Sequence, residues 1–95
     1  MPQLITKAAD GSSLIHELQN ATTIGRHPDN TIVLDDETVS VFHAEIVLQN
    51  GLWFLRDLES TNGTRLNGRK ISAAELHNTD KVSFGGVHFR FKKQV

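Results

Sequence analysis

The chain has no cysteine among its 95 residues. A disulfide framework, a thiolate metal site and a thiol nucleophile are therefore all excluded. It has no charge excess either: ten Lys and Arg stand against eleven Asp and Glu, a formal net charge of −1. Such a chain lacks the broad basic field of a nucleic-acid binder, so any anion must be held by a few well-placed donors. No apolar run approaches the length needed to cross a bilayer. The opening Met1-Pro2-Gln3-Leu4-Ile5-Thr6-Lys7 has the form of neither a secretion signal nor a membrane anchor. No segment repeats, none is of low complexity and none reads as a linker. The length leaves room for one domain, residues 1–95, expected to be soluble and cytoplasmic.

Catalytic signatures are missing as well. His16, His27, His43, His77 and His88 share no metal-ligand spacing, so no metal site is expected. Ser40 and His43 suggest a nucleophile and a base, and Asp35, Asp36 or Glu37 could partner His27 or His43. Yet no third group has a claim to orient the histidine, and no Gly-x-Ser-x-Gly elbow occurs. The phosphate-cradling Gly-x-x-x-x-Gly-Lys-Ser/Thr loop is absent too. A non-enzyme without cofactor is expected. Arg65, Arg69 and Lys70, or Arg90, Lys92 and Lys93, read as solvated surface rather than as a nucleic-acid or membrane site.

Turns and strand formers are what the chain does have. Asp10-Gly11, Asn50-Gly51, Asn67-Gly68 and Gly85-Gly86 each separate two short runs rich in strand formers, as tight hairpins require. Residues 43–48 and 52–58 flank the second turn, with Ala44, Ile46 and Leu48 expected on one face. Val87, Phe89 and Phe91 alternate with His88, Arg90 and Lys92, one set for a core and one for water. Further strands are expected over 4–8, 13–17, 22–24, 31–34, 64–66 and 81–84. The helix signal is poor: residues 72–75 have capping-box spacing and suggest at most one helical turn. Many short strands with regular turns predict an all-β sandwich.

Three loop signatures fall between these strands: Gly25-Arg26, then Ser40-Val41-Phe42-His43, then Ser60-Thr61-Asn62-Gly63-Thr64, with Asn67-Gly68 close behind. If they meet at one end of the domain they offer a guanidinium, several hydroxyls and a carboxamide. A planar guanidinium can hold two phosphate oxygens at once. Taken singly, each piece has a plainer explanation. Arg26 reads as surface, Ser40 as a local turn bond, His43 as a structural histidine and Asn62-Gly63 as a tight turn. Asn62-Gly63-Thr64 and Asn20-Ala21-Thr22 are also formal glycosylation sequons, which would need a secretory route.

Jointly, the pieces resemble the forkhead-associated (FHA) domain family. The likeness is carried by Gly25-Arg26, Ser40 to Ala44 and Asp57 to Gly68, and it continues through Leu76, Asp80-Lys81-Val82 and Gly85. It implies a β-sandwich of two twisted, mainly antiparallel sheets with about eleven short strands and ligand loops at one end. It further implies a phosphothreonine-peptide-binding module that recruits partners marked by a Ser/Thr kinase. On that resemblance Arg26, Ser40 and Thr61 hold the phosphate and Asn62 the peptide backbone, while Gly25, His43, Gly63 and Asn67 shape the loops. Val41 departs from relatives that carry Arg or Asn there, and Thr79 stands where they often have Gly, a change expected to be tolerated. The alternative is a phosphate-independent interaction or oligomerisation domain of the same fold.

Overall fold

The computed structural model describes residues 1–93. Eleven strands follow one another: β1 (Gln3–Lys7), β2 (Ser13–Glu17), β3 (Ala21–Gly25), β4 (Ile32–Val33), β5 (Ala44–Gln49), β6 (Leu52–Asp57), β7 (Thr64–Leu66), β8 (Arg69–Ile71), β9 (Ala73–Glu75), β10 (Lys81–Phe84) and β11 (Val87–Lys92). They form a six-stranded sheet in the order β2-β1-β11-β10-β7-β8 and a five-stranded sheet in the order β4-β3-β5-β6-β9. Every pairing is antiparallel except that of β3 with β4. The all-β sandwich read from the sequence is the observed architecture.

The turn chemistry explains the hairpins. Asn50 and Gly51 have φ of 53° and 79°, and Asn67 and Gly68 have 52° and 87°, the double left-handed geometry that suits strand twist. Alternation then fills the core. Ile24, Ile46 and Leu55 of one sheet meet Leu4, Phe84 and Phe91 of the other, all fully buried. Each such side chain contributes about 1.5–3 kcal/mol of burial. Phe84 lies edge-on to Phe89, with ring centroids 5.7 Å apart.

Two local expectations fail. Residues 72–75 do not form a helical turn: Ala73–Glu75 is β9, with Ala74 opposite Leu55 of β6. A single capped turn is costly to nucleate, whereas the edge of β6 offers ready partners and lets the next residue, Leu76, enter the core. Leu48 is 37% exposed despite sharing a face with Ala44 and Ile46, because it lies next to the turn, past the packed interior. Among the described residues no helix is long and apolar enough to cross a membrane.

Candidate functional site

Four connections converge at one end of the sandwich: β3–β4, β4–β5, β6–β7 and the Gly85-Gly86 turn. Backbone bonds fasten the first two, since the N–H groups of Arg26 and His27 donate to the carbonyls of Ser40 and Val41 at 3.0 and 3.1 Å. Gly25 is required there by space. A Cβ would stand 2.3 Å from the Val41 carbonyl oxygen and 2.7 Å from Asn30 Nδ2.

His43 sits beneath these loops and is fully buried. Its Nδ1 accepts from the Ser40 N–H at 3.0 Å, so the ring proton resides on Nε2, which donates to the Gly63 carbonyl at 2.9 Å. Its ring is edge-on to Phe84 at 5.9 Å. One neutral imidazole thus ties the loop carrying Ser40 to the loop carrying Asn62. Both ring nitrogens are engaged, and the Ser40 hydroxyl is not bonded to the ring. The nucleophile–base pairing that the sequence suggests is not formed.

A second brace lies within the β6–β7 loop. Asp57 Oδ1 accepts from the hydroxyls of Ser60 and Thr64 at 2.6 and 2.7 Å, and Oδ2 accepts from the Ser60 N–H at 3.2 Å. Ser60 Oγ in turn accepts from the Gly63 N–H at 3.0 Å. Burial pushes the Asp57 carboxyl up, but the hydrogen bonds from the Ser60 and Thr64 hydroxyls and the Ser60 N–H together outweigh it. The net result is a carboxyl held below the ordinary value of 3.8. Gly63, at φ 88°, also accepts from the Gly85 N–H at 3.1 Å, which links the fourth connection.

Above these braces stand the rim side chains, Arg26, Thr61 and Asn62 exposed and Ser40 half-buried. Arg26 donates from Nε to the Val39 carbonyl at 3.0 Å. That single bond fixes the stem, while the two terminal nitrogens have no protein partner among the described residues and face solvent. Ser40 Oγ accepts from the Thr61 N–H at 3.0 Å, which leaves its own proton to donate. Asn62 donates from Nδ2 to the Thr38 carbonyl at 2.9 Å, which leaves its carbonyl oxygen to accept. The Thr61 side chain is exposed beside them. Arg26, Ser40, Thr61 and Asn62 are therefore held on one rim, each with hydrogen-bonding capacity left over. Chemically, that rim suits an anion and an adjoining backbone amide.

Val41 and Phe42 continue the rim as exposed apolar groups, and Phe42 stacks on His27 at 5.1 Å. Asn67 lies outside the rim. It donates to Asp80 Oδ1 at 3.0 Å and accepts from the Lys81 N–H at 2.9 Å, so it locks the β7–β8 turn to the start of β10. Asn30 and Thr38 were not singled out from the sequence. Buried Asn30 donates from Nδ2 to the carbonyls of His27 and Val41 at 2.9 and 2.8 Å. Thr38 Oγ1 accepts from the Gly86 N–H at 2.8 Å. What gives them their roles is distant: Val41 lies 11 positions from Asn30, and Gly86 lies 48 from Thr38. Asp57 with Ser60 had a local sign, the Asp-x-x-Ser spacing at which a carboxylate can accept from the backbone three residues on.

The sequence matches the FHA domain over residues 22–85. It is 46% identical over 73 residues to the glycogen accumulation regulator GarA of Mycolicibacterium smegmatis, covering 77% of this chain and 46% of that protein. The chain spans about half the length of the curated relatives it matches. Among solved structures, Mycobacterium tuberculosis EmbR in complex with a low-affinity phosphopeptide superposes with a TM-score of 0.82 at 34% identity, over 96% of this chain and 24% of that one. An FHA domain solved in work on phosphothreonine-dependent FHA domain interactions superposes with a TM-score of 0.85 at 26% identity, over 99% of this chain and 97% of that one.

Proposed function

The chain belongs to the FHA domain family, and on that premise we propose that it reads phosphothreonine in a partner protein and does no chemistry on it. The observation that carries this is the outward guanidinium of Arg26, fixed at Nε and open at its two terminal nitrogens, beside the Ser40 hydroxyl. Those terminal nitrogens form a fork for two phosphate oxygens, with the hydroxyls of Ser40 and Thr61 as further donors. The Asn62 carbonyl oxygen takes a peptide N–H next to the phosphothreonine.

Phosphothreonine brings a charge near −2, and charge-assisted hydrogen bonds contribute about 1.5–3 kcal/mol each. Loop-tip contact buries little area and orders a flexible peptide, so micromolar affinity, on the order of −8 kcal/mol, is expected. Enclosing the threonine methyl adds about 0.8 kcal/mol over phosphoserine. Val41 supplies no donor, and with Phe42 it favours an apolar residue flanking the phosphothreonine. A cytoplasmic setting, where Ser/Thr kinases mark their substrates, fits this role.

The test is fluorescence anisotropy against degenerate phosphothreonine peptides, with unphosphorylated and phosphoserine sets as controls. Saturable binding confined to the phosphothreonine set is expected. A folded protein that binds the unphosphorylated set equally well would instead be a phosphate-independent interaction domain.

A further inference from the structure

The outward face of the six-stranded sheet carries a charge pattern that the phosphate site does not use. Register places Ile15, Ile5, Arg90 and Lys81 in one row across it. His88, Ser83, Arg65 and Lys70 form the next. Lys7 and Lys92 share the same face by alternation, so six of the chain's ten Lys and Arg gather there. Among the strand residues of that face only Glu17 is acidic, on the far edge. None of the six cations makes an ion pair among the described residues. On the opposite sheet Arg56 is paired with Glu45. A molecule of net charge −1 thus has one strongly cationic side.

That side is continuous with the loop end. The Lys70 stem lies against Gly63, where a Cβ would come within 3.0 Å of Lys70 Cε, and Gly63 directly follows Asn62. Lys7, Lys81, His88 and Arg90 border a shallow depression of about 770 Å³ next to the Gly85-Gly86 turn. Asp36 also borders it, with one carboxylate oxygen taken by the Thr38 N–H and hydroxyl.

We propose that this face docks an acidic stretch of the same partner chain whose phosphothreonine occupies the loops. The proposal rests on the phosphothreonine reading. A polypeptide fixed at Arg26 raises the local concentration of its own acidic residues over the adjoining face. Nucleic acid is the weaker match. The face carries no Phe, Tyr or Trp: between the cations lie half-buried Ile5, buried Gln3 and Ser83 and the single imidazole of His88, too little for a run of stacked bases. A sheet face also offers no helix or ribbon to enter a groove. Exposed ion pairs are individually weak and salt-screened, so several acting together are expected to tighten binding about tenfold at low salt.

The experiment compares peptides sharing one phosphothreonine core, with an acidic tract or a Ser/Gln tract on either flank, by anisotropy at ~0.05 and ~0.5 M salt. The protein is wild type or carries Lys7→Gln, Arg65→Gln and Lys81→Gln together. All three side chains are exposed and point outward, and a melting curve checks the fold. The expected result is a roughly tenfold gain for one acidic peptide at low salt, lost at high salt and in the triple variant, with unchanged binding of the Ser/Gln peptides. Equal binding of acidic and Ser/Gln peptides overturns the docking face and leaves the phosphothreonine reading standing. Failure of every phosphopeptide overturns both. An oligonucleotide or an anionic vesicle that binds wild type more tightly than the acidic peptide, through the same three residues, reassigns the face to that ligand and overturns the proposal.

Discussion

Under the loop end, His43 and Asp57 spend their hydrogen-bonding capacity on the protein itself. His43 bridges Ser40 and Gly63, and Asp57 gathers Ser60 and Thr64. On the rim just above, Arg26, Ser40 and Asn62 each make one bond that fixes position and keep the remainder for solvent or ligand. These layers sit side by side in the same three loops, yet they divide geometry from recognition. A rim side chain can be aimed by a single bond because the backbone beneath it is already held from several directions. Changes below the rim should therefore cost stability and binding together, and changes on it should cost binding alone.

The sharpest test is His43→Ala. It opens a cavity beneath the loops, leaves the Ser40 N–H without its partner and takes from the Gly63 carbonyl one of its two donors, a loss of about 4 kcal/mol. Urea denaturation should show it, with phosphopeptide affinity falling in parallel; an unchanged midpoint would break the division between layers. Arg26→Ala should act in the opposite sense. It is expected to weaken phosphopeptide binding by about 3 kcal/mol, on the order of a hundredfold, at an unchanged melting temperature. Arg26→Lys should restore about tenfold of that, since a point charge replaces the fork.

Gly25→Ala probes the join between layers. Its Cβ must displace the Val41 carbonyl or Asn30, costing about 2 kcal/mol of stability, and calorimetry should find binding weakened with it. Asp57→Asn sharpens the picture through pH. Because the folded carboxyl lies below its ordinary value of 3.8, its contribution is complete above that value and is lost as pH falls through the folded pKa. The stability gap between wild type and Asp57→Asn should be widest near neutrality and should narrow below about pH 4. Parallel pH profiles would remove Asp57 from the braces.

The smallest effect is expected away from both layers. Thr79 has φ of 72°, held by its N–H donating to the Phe91 carbonyl and by Arg90 Nη1 donating to its own carbonyl. The loop does accommodate threonine, but in a left-handed conformation that a β-branched residue adopts at a cost. Thr79→Gly should stabilise by a few tenths to about 1 kcal/mol, the relief being partly offset by glycine's entropy. Thermal melts would register the gain while phosphopeptide affinity stays the same.

The sequence by itself determined the turns, the alternating strands and the sandwich class. Asn-Gly turn geometry and a period of two are properties of neighbouring residues, so they can be read without knowing what packs against what. It also marked the loop residues by type and spacing. Tertiary structure alone decided the rest. β8 and β9, Arg-Lys-Ile and Ala-Ala-Glu, are short and poor in strand formers, and exist because β7 and β6 offer them partners. The roles of Asn30 and Thr38, and the two bonds of His43, depend on loops brought together from distant segments. The cationic face has the same origin: Lys7, Arg90, Lys81 and Arg65 become neighbours only because β11 pairs with β1 on one side and with β10 on the other, and β10 with β7. Strand pairing joins residues more than eighty positions apart, and no local pattern of side chains records which edges will meet.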